Sequence, residues 1–249
     1  MLTLTPIEIE CIERATVAAV SPAATEELDG WLLAFDTGTI GRAKCAVPLM
    51  HAAVAPKVVR DIEARYAARG FPPQFRIADA PCFDALRLEL ARRGYRAGQP
   101  TLVQVAPTRS ILKVFPEATA QVAAAPDAAW AAVFLGEGFD PADGASRVAA
   151  LSRAAGSVYA SVREDGRAVA AGAAAFSHGW ASVHGMRTAR ARRGEGLAAR
   201  VLATLAAVAV ERGMERTFLQ VEDNNTTALA LYRRAGFETT WGYSYWRPA

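Results

Sequence analysis

Apolar positions recur along this chain in two rhythms, and glycine or proline stands at most changes from one to the other. From Pro6 to about Val20, Ile7, Ile9, Ile12 and Val17 fall loosely on one side, which predicts a helix. Pro22 and Asp29-Gly30 break it. Trp31 to Phe35 reads as a strand, Asp36-Thr37-Gly38 as a hairpin turn and Ile40 to Val47 as a second strand. A helix follows from Pro56 to Ala68, with Val58, Val59, Ile62 and Tyr66 at helical spacing and Gly70 as its stop. Phe75 to Ile77 is a short strand, Phe83 to Arg93 a helix ended by Gly94, and Thr101 to Val105 another strand.

Beyond Pro107 the composition turns rich in alanine and proline, which marks residues 107–125 as a connector with one strand at Ala120 to Ala123. Helices are then predicted over Asp127 to Leu135 and Ala142 to Ala155. Three strands follow, Val158 to Val162, Ala168 to Phe176 and Trp180 to Thr188, joined by turns at Glu164-Asp165-Gly166 and Gly179. This antiparallel meander feeds a helix from Glu195 to Glu211, a strand from Thr217 to Val221, a helix from Asn225 to Ala235 and a closing strand from Phe237 to Trp246.

The 249 residues allow one large domain or two of ordinary size. No apolar run approaches the ~18 residues of a membrane span, and no basic segment followed by an apolar stretch opens the chain, so a soluble, cytoplasmic protein is expected. Three widely spaced cysteines, Cys11, Cys45 and Cys82, argue against a disulfide framework or zinc-ligand pairs, so no metal is expected. A net charge of +3 is too small to imply nucleic acid, but Arg187, Arg190, Arg192, Arg193 and Arg200 fall within fourteen residues. They surround a glycine-containing turn, Arg193-Gly194-Glu195-Gly196, that runs into a helix. Free N–H groups, a positive dipole end and nearby guanidiniums suit a phosphate there.

These residues resemble the GNAT superfamily of acyl-CoA N-acyltransferases. Its acyl-CoA signature, Arg or Gln, two residues, Gly, one residue, Gly or Ala, is matched by Arg193-Gly194-Glu195-Gly196-Leu197-Ala198. Downstream, Leu219-Gln220-Val221, Asn225, Ala228, Leu231-Tyr232 and Gly236-Phe237 sit at the family's spacing. The resemblance implies an α/β (α+β) fold with a mixed, mostly antiparallel sheet flanked by helices. It implies that Arg193 to Ala198 bind the pyrophosphate of acetyl-CoA as co-substrate, that Met186 and Thr188 run beside the pantetheine arm, and that Asn225 contacts that arm or caps its helix. It makes Tyr232 the general acid toward the departing thiolate, a role suited to a phenol that keeps its proton at neutral pH.

Family members often carry a Glu on the strand before the turn, and this chain has none between Gly166 and Glu195. His184 lies on that strand and is the candidate base, with Glu222 and Asp223 behind it and Ser177 and His178 as substrate contacts. The order strand, helix, Gly-aromatic, strand also occurs around Gly94-Tyr95, as it does around Gly236-Phe237. Two GNAT-like units are therefore expected: a degenerate one over 1–106, the connector 107–125 and a catalytic one over 126–249. The first copy has no glycine signature, and Leu90 stands where Tyr232 does; Trp31, Phe35 and Arg42 are its candidates to face an acceptor pocket. The expected activity is direct acetyl transfer from acetyl-CoA to a primary amine, on a small molecule or a protein, by a monomer or homodimer without nucleic acid or membrane. The alternative is a catalytically silent acyl-CoA sensor.

Overall fold

The structure is a computed structural model that describes residues 3–249. Among these described residues eleven strands form one sheet: β1 (Ala24–Leu28), β2 (Trp31–Phe35), β3 (Ala46–Pro48), β4 (Phe75–Ala78), β5 (Tyr95–Pro107), β6 (Gln121–Ala123), β7 (Val158–Glu164), β8 (Arg167–Ser177), β9 (Trp180–Thr188), β10 (Arg216–Glu222) and β11 (Glu238–Pro248). The same residues form eight α-helices that cover it: α1 (Pro6–Ala18), α2 (Val58–Ala68), α3 (Asp84–Arg92), α4 (Thr108–Val114), α5 (Ala128–Ala132), α6 (Pro141–Ser152), α7 (Leu197–Glu211) and α8 (Thr226–Arg234).

The strand order is β1-β2-β3-β4-β11-β5-β10-β9-β8-β7-β6. Every pairing is antiparallel except β3 with β4 and β9 with β10, and each of those parallel pairs is bridged by a helix, α2 or α7. The closing strands are exchanged. β5 lies beside β10 of the second half, β11 lies beside β4 of the first, and the two pair with each other in the middle. The hydrogen-bonded sheet therefore runs unbroken from one half of the chain to the other.

Strand alternation decides which face each helix takes. On β2, Trp31, Leu33 and Phe35 join the cluster of α2 and α3, while Leu32 and Ala34 pack with Val17 of α1. On β10, Leu219 and Val221 join α4, α7 and α8, while Phe218 packs with Ile12 and Ala15 of α1. Helix α1 thus crosses one face of both halves, joined there by α5 and α6 over β7 and β8. Its start is fixed by a reciprocal capping box: Thr5 N–H donates to Glu8 Oε2 at 2.7 Å and Glu8 N–H to Thr5 Oγ1 at 3.4 Å, with Pro6 in the first helical position.

Several sequence expectations are corrected. The polar run Ala24–Leu28 is a strand, hairpinned to β2 through Asp29-Gly30, both at positive φ; its Thr-Glu-Glu centre hides the apolar alternation of an edge strand. The strand expected over 40–47 is shorter, because Gly41–Ala43 coil into a 3-10 turn before Ala46. β5 starts six residues earlier than read and carries Gly98 and Pro100 within it. Residues 107–125 contain helix α4 as well as β6, since Ile111 and Phe115 bury against α7's cluster. The three cysteines are free thiols, Cys45 fully buried.

Candidate active site

The parallel pair β9 and β10 holds register only over Thr217 with Ala181, Phe218 with Ser182 and Leu219 with Val183. Past Val183 and Leu219 they part. A β-bulge lies at the same point: on β8, Ala171 and Ala173 face Arg187 and His184, so two residues of β9, Gly185 and Met186, oppose one of β8. Gly185 takes φ +61°, and a Cβ there would meet Leu151 Cδ1 at 2.8 Å and Phe134 Cζ at 3.2 Å. Opposite it, a Cβ on Gly172 would meet Met186 Sδ at 2.5 Å, so the bulge is seated by two glycines. Neither was singled out from the sequence, although a lone glycine inside a strand pattern is the usual signal of a bulge.

A cleft of about 1040 Å³ opens at the divergence. Its floor is His184 to Thr188 of β9 with Gln220, Val221 and Glu222 of β10; one wall is the turn Arg192 to Arg200, and the other is α8 with Asn225, Leu231 and Tyr232. The cleft therefore brings together all of Tyr232, His184, Met186, Thr188, Arg193, Gly194, Glu195, Gly196, Leu197, Ala198 and Asn225. Glu222 also lines it, accepting from Gln99 Nε2 at 2.9 Å, and Arg42 does too. Trp31 and Phe35 do not; both are buried in the aromatic core under α2, because β2 is covered on both faces. Asp223, Ser177 and His178 do not line the cleft, and His178 sits at positive φ in the β8–β9 turn.

The turn fits a phosphate. Gly194 (φ +86°) and Gly196 (φ +76°) have no atom within 4 Å of where a Cβ would stand, so the backbone is approachable from the cleft. Gly196 starts α7 without any side-chain cap, which leaves first-turn N–H groups free at the positive end of a fifteen-residue helix. The basic field is smaller than the sequence suggested. Arg192 is bound by Glu164 of the β7–β8 hairpin as well as by Glu195, at 2.6 Å. Arg193 forms no ion pair among the described residues and lines the cleft. Asn225 caps α8, its Oδ1 accepting from Ala228 N–H at 3.1 Å.

Tyr232 is 6% exposed, and burial pushes its phenol up to about 12. Its hydroxyl has no hydrogen-bond partner among the described residues, although it lies at the cleft. His184 faces the opposite side of the sheet, where alternation sets it beside Phe218 at 6.4 Å between ring centroids. Ser182 Oγ stands 2.8 Å from His184 Nε2 and 3.3 Å from Ala175 O, so its single hydroxyl hydrogen can serve either. The other ring nitrogen, Nδ1, is buried without a partner among the described residues. Burial, then the charge of Arg42, holds this imidazole well below the usual histidine range, so it is neutral at pH 7.

A family model described as "Probable histone acetyltransferase Rv0428c C-terminal" matches residues 7–246. A GCN5-related N-acetyltransferase from Kribbella flavida superposes with a TM-score of 0.70 at 18% identity, over 96% of this chain and 95% of that one. A putative GNAT-family acetyltransferase from Novosphingobium aromaticivorans gives 0.59 at 19% identity, over 96% and 99%. A tandem GNAT protein from the clavulanic acid biosynthesis pathway gives 0.59 at 15%, over 97% and 94%. Comparison with curated protein sequences finds no match. The structural likenesses, all at low identity, establish the mixed, mostly antiparallel GNAT architecture.

Proposed function

We propose, for a chain that belongs to the Rv0428c C-terminal family of GNAT acetyltransferases, that it transfers acetyl from acetyl-CoA directly to a primary amine. One observation carries this reading: the uncapped start of α7, the unpartnered Tyr232 hydroxyl and the parting of β9 from β10 share a single cleft. A phosphate suits the turn of Arg193 to Ala198, with Leu197 and Ala198 N–H in the first helical turn. Met186 and Thr188, on the β9 edge that β10 has left, are available for backbone pairing with an extended pantetheine arm, and Asn225 flanks it. Acetyl-CoA supplies the activated acyl group.

Backbone N–H groups of β9 at the bulge, beyond the last pairing with β10, are the donors that would stabilise charge on an acyl oxygen. Tyr232, its proton secured by burial, protonates the leaving thiolate. His184, neutral and with Nδ1 free, takes the proton of the attacking amine. No cysteine lies in the chain past Cys82, so transfer in a ternary complex suits the residues better than an acyl-enzyme. We further read the chain as two GNAT-like units, 1–106 and 126–249, joined by 107–125; the repeated element order and the exchanged closing strands support it.

Calorimetry with acetyl-CoA, followed by thiol release over a panel of amines, tests the function. Binding and turnover are expected, with Tyr232→Phe binding normally and turning over slowly. The weak basicity of His184 and the absence of a carboxylate on β9 favour a second reading, a silent acyl-CoA sensor. Binding without release on any amine would decide for it.

A further inference from the structure

Among the described residues, Arg42 is a guanidinium without a carboxylate counter-ion. It projects from the 3-10 turn Gly41–Ala43, which is pressed against Tyr245 so closely that a Cβ on Gly41 would stand 2.8 Å from the ring. Its Nη1 donates to Gln220 Oε1 at 3.1 Å, and Gln220 is held in turn by Tyr243 Oη–H at 3.1 Å and by its own Nε2 donating to Thr16 Oγ1 at 3.0 Å. Arg42 Nε is buried with no partner, and no carboxylate pairs with this side chain among the described residues. A charge held in such a place normally has a partner.

The surroundings add positive charge. Arg147 of α6 and Arg187 of β9 line the same end of the cleft. Asp143 is shared between them, at 2.6 Å from Arg147 and 3.9 Å from Arg187, and it also accepts from Thr39 Oγ1 at 2.7 Å. Arg187 lies over the Phe139 ring at 4.0 Å from its centroid, which keeps it in place. Three guanidiniums thus face one carboxylate. Glu195 is taken by Arg192 and Glu222 accepts from Gln99. This end adjoins His184 and Gln220, on the α1 face, whereas the glycine turn and Tyr232 lie on the α7 and α8 face. It is the side from which an acceptor would meet the acyl carbon.

We propose that the acceptor is a small amine that also carries an anionic group, carboxylate or phosphate, and that Arg42 binds this group with Arg147 and Arg187 around it. This rests on the acyl-transfer reading above. A lysine-rich protein tail, itself cationic, would meet repulsion at the same place.

The test uses matched amines on the full chain with coenzyme A present: aspartate, glutamate and glycine against their amides, 2-aminoethyl phosphate against ethanolamine, and a lysine-rich peptide. Equilibrium binding and thiol release from acetyl-CoA are measured for each. Acidic members are expected to bind at least about tenfold more tightly than their neutral partners, with the preference lost in Arg42→Gln and partly kept in Arg42→Lys. The carboxylate and phosphate arms separate the two sources of charge. Equal or tighter binding of the neutral amines or the peptide overturns the proposal, even if thiol is released from them. Selective binding of acidic amines without release upholds it and sinks the transferase reading. If Arg42→Gln has lost its fold, as read by circular dichroism and a denaturant melt, Arg147→Gln takes its place; an unchanged preference there overturns the proposal.

Discussion

The two halves of this chain build the same parallel strand pair and use it differently. In the first, Val58 and Val59 at the start of α2 are buried in an aromatic cluster with Trp31, Phe35, Tyr66, Phe83 and Tyr95, and the partly buried Val54 and Trp241 pack against it. In the second, α7 brings Ala203 and Ala206 into a cluster with Ala170 and Ala174 of β8, and its first turn opens on the cleft. The residues just past the last parallel pairing differ likewise. In the first half they are Val47, buried beside α1, and Arg76, sealed by an ion pair with Glu13. In the second they are His184 and Gln220, both lining the cleft. Where one half fills its strand junction with side chains, the other withdraws them. A shared topology does not carry a shared site.

The sharpest contrast is between Tyr232 and Leu90, the residues that precede the two Gly-aromatic pairs. Tyr232→Phe keeps the packing and removes the proton, so kcat is expected to fall by about 10²- to 10⁴-fold with acetyl-CoA affinity retained. Leu90→Ala should leave kcat of the folded protein alone and cost about 2–5 kcal/mol of stability, since Leu90 is fully buried. A Tyr232→Phe enzyme at full rate would reduce the contrast to packing.

Next in size is the bulge. Gly185→Ala sets a methyl against Leu151 and Phe134 at positive φ, and a loss of about 1–3 kcal/mol in denaturant melts is expected together with a lower kcat. Gly98→Ala on β5, where a Cβ has open space, should change neither. A smaller effect falls on the turn: Arg193→Gln is expected to weaken acetyl-CoA binding by roughly tenfold, as loss of one charged phosphate contact does. Lys57→Gln, at the start of α2, should leave the calorimetric Kd unchanged; a matching loss there would mean that the first half also binds the co-substrate.

The sequence displayed the element order because long periodic segments such as α2 and α7 carry their own signal, and it displayed the cradle because glycine is needed wherever a chain turns at positive φ beside a helix start. It concealed features that depend on strands far apart in sequence. Ala24–Leu28 reads as polar because one edge is solvated, and the exchange of β5 with β11 leaves no local trace. Arg42 could be nominated for the pocket but not distinguished from Trp31 and Phe35, since only the pairing of β2 with both neighbours shows that those two are enclosed. The neutralisation of Arg192 by Glu164 was equally hidden, resting on the β7–β8 hairpin reaching the turn.

The smallest effect separates His184 from Val47 through pH. Burial lowers the folded-state pKa of His184 below that of the unfolded chain, near 6.5, so between these two values the unfolded state binds a proton that the folded state refuses. Stability contributed by the neutral imidazole is intact above about pH 6.5 and declines as pH falls through that window, by up to about 1.4 kcal/mol per pH unit. Denaturant melts at pH 7.5, 6.5 and 5.5 on wild type and His184→Asn should therefore differ by a constant amount at the upper end, with that difference changing at the lower because the variant loses less. In the first half Val47 has nothing to titrate, so any acid sensitivity left in the variant belongs to other groups, such as Glu13, whose carboxyl is held low by Arg76 and His51 against the cost of its burial. Parallel curves for the two proteins would mean that His184 is solvated and protonates freely, and an acceptor amine could then not rely on a neutral imidazole below pH 6.5.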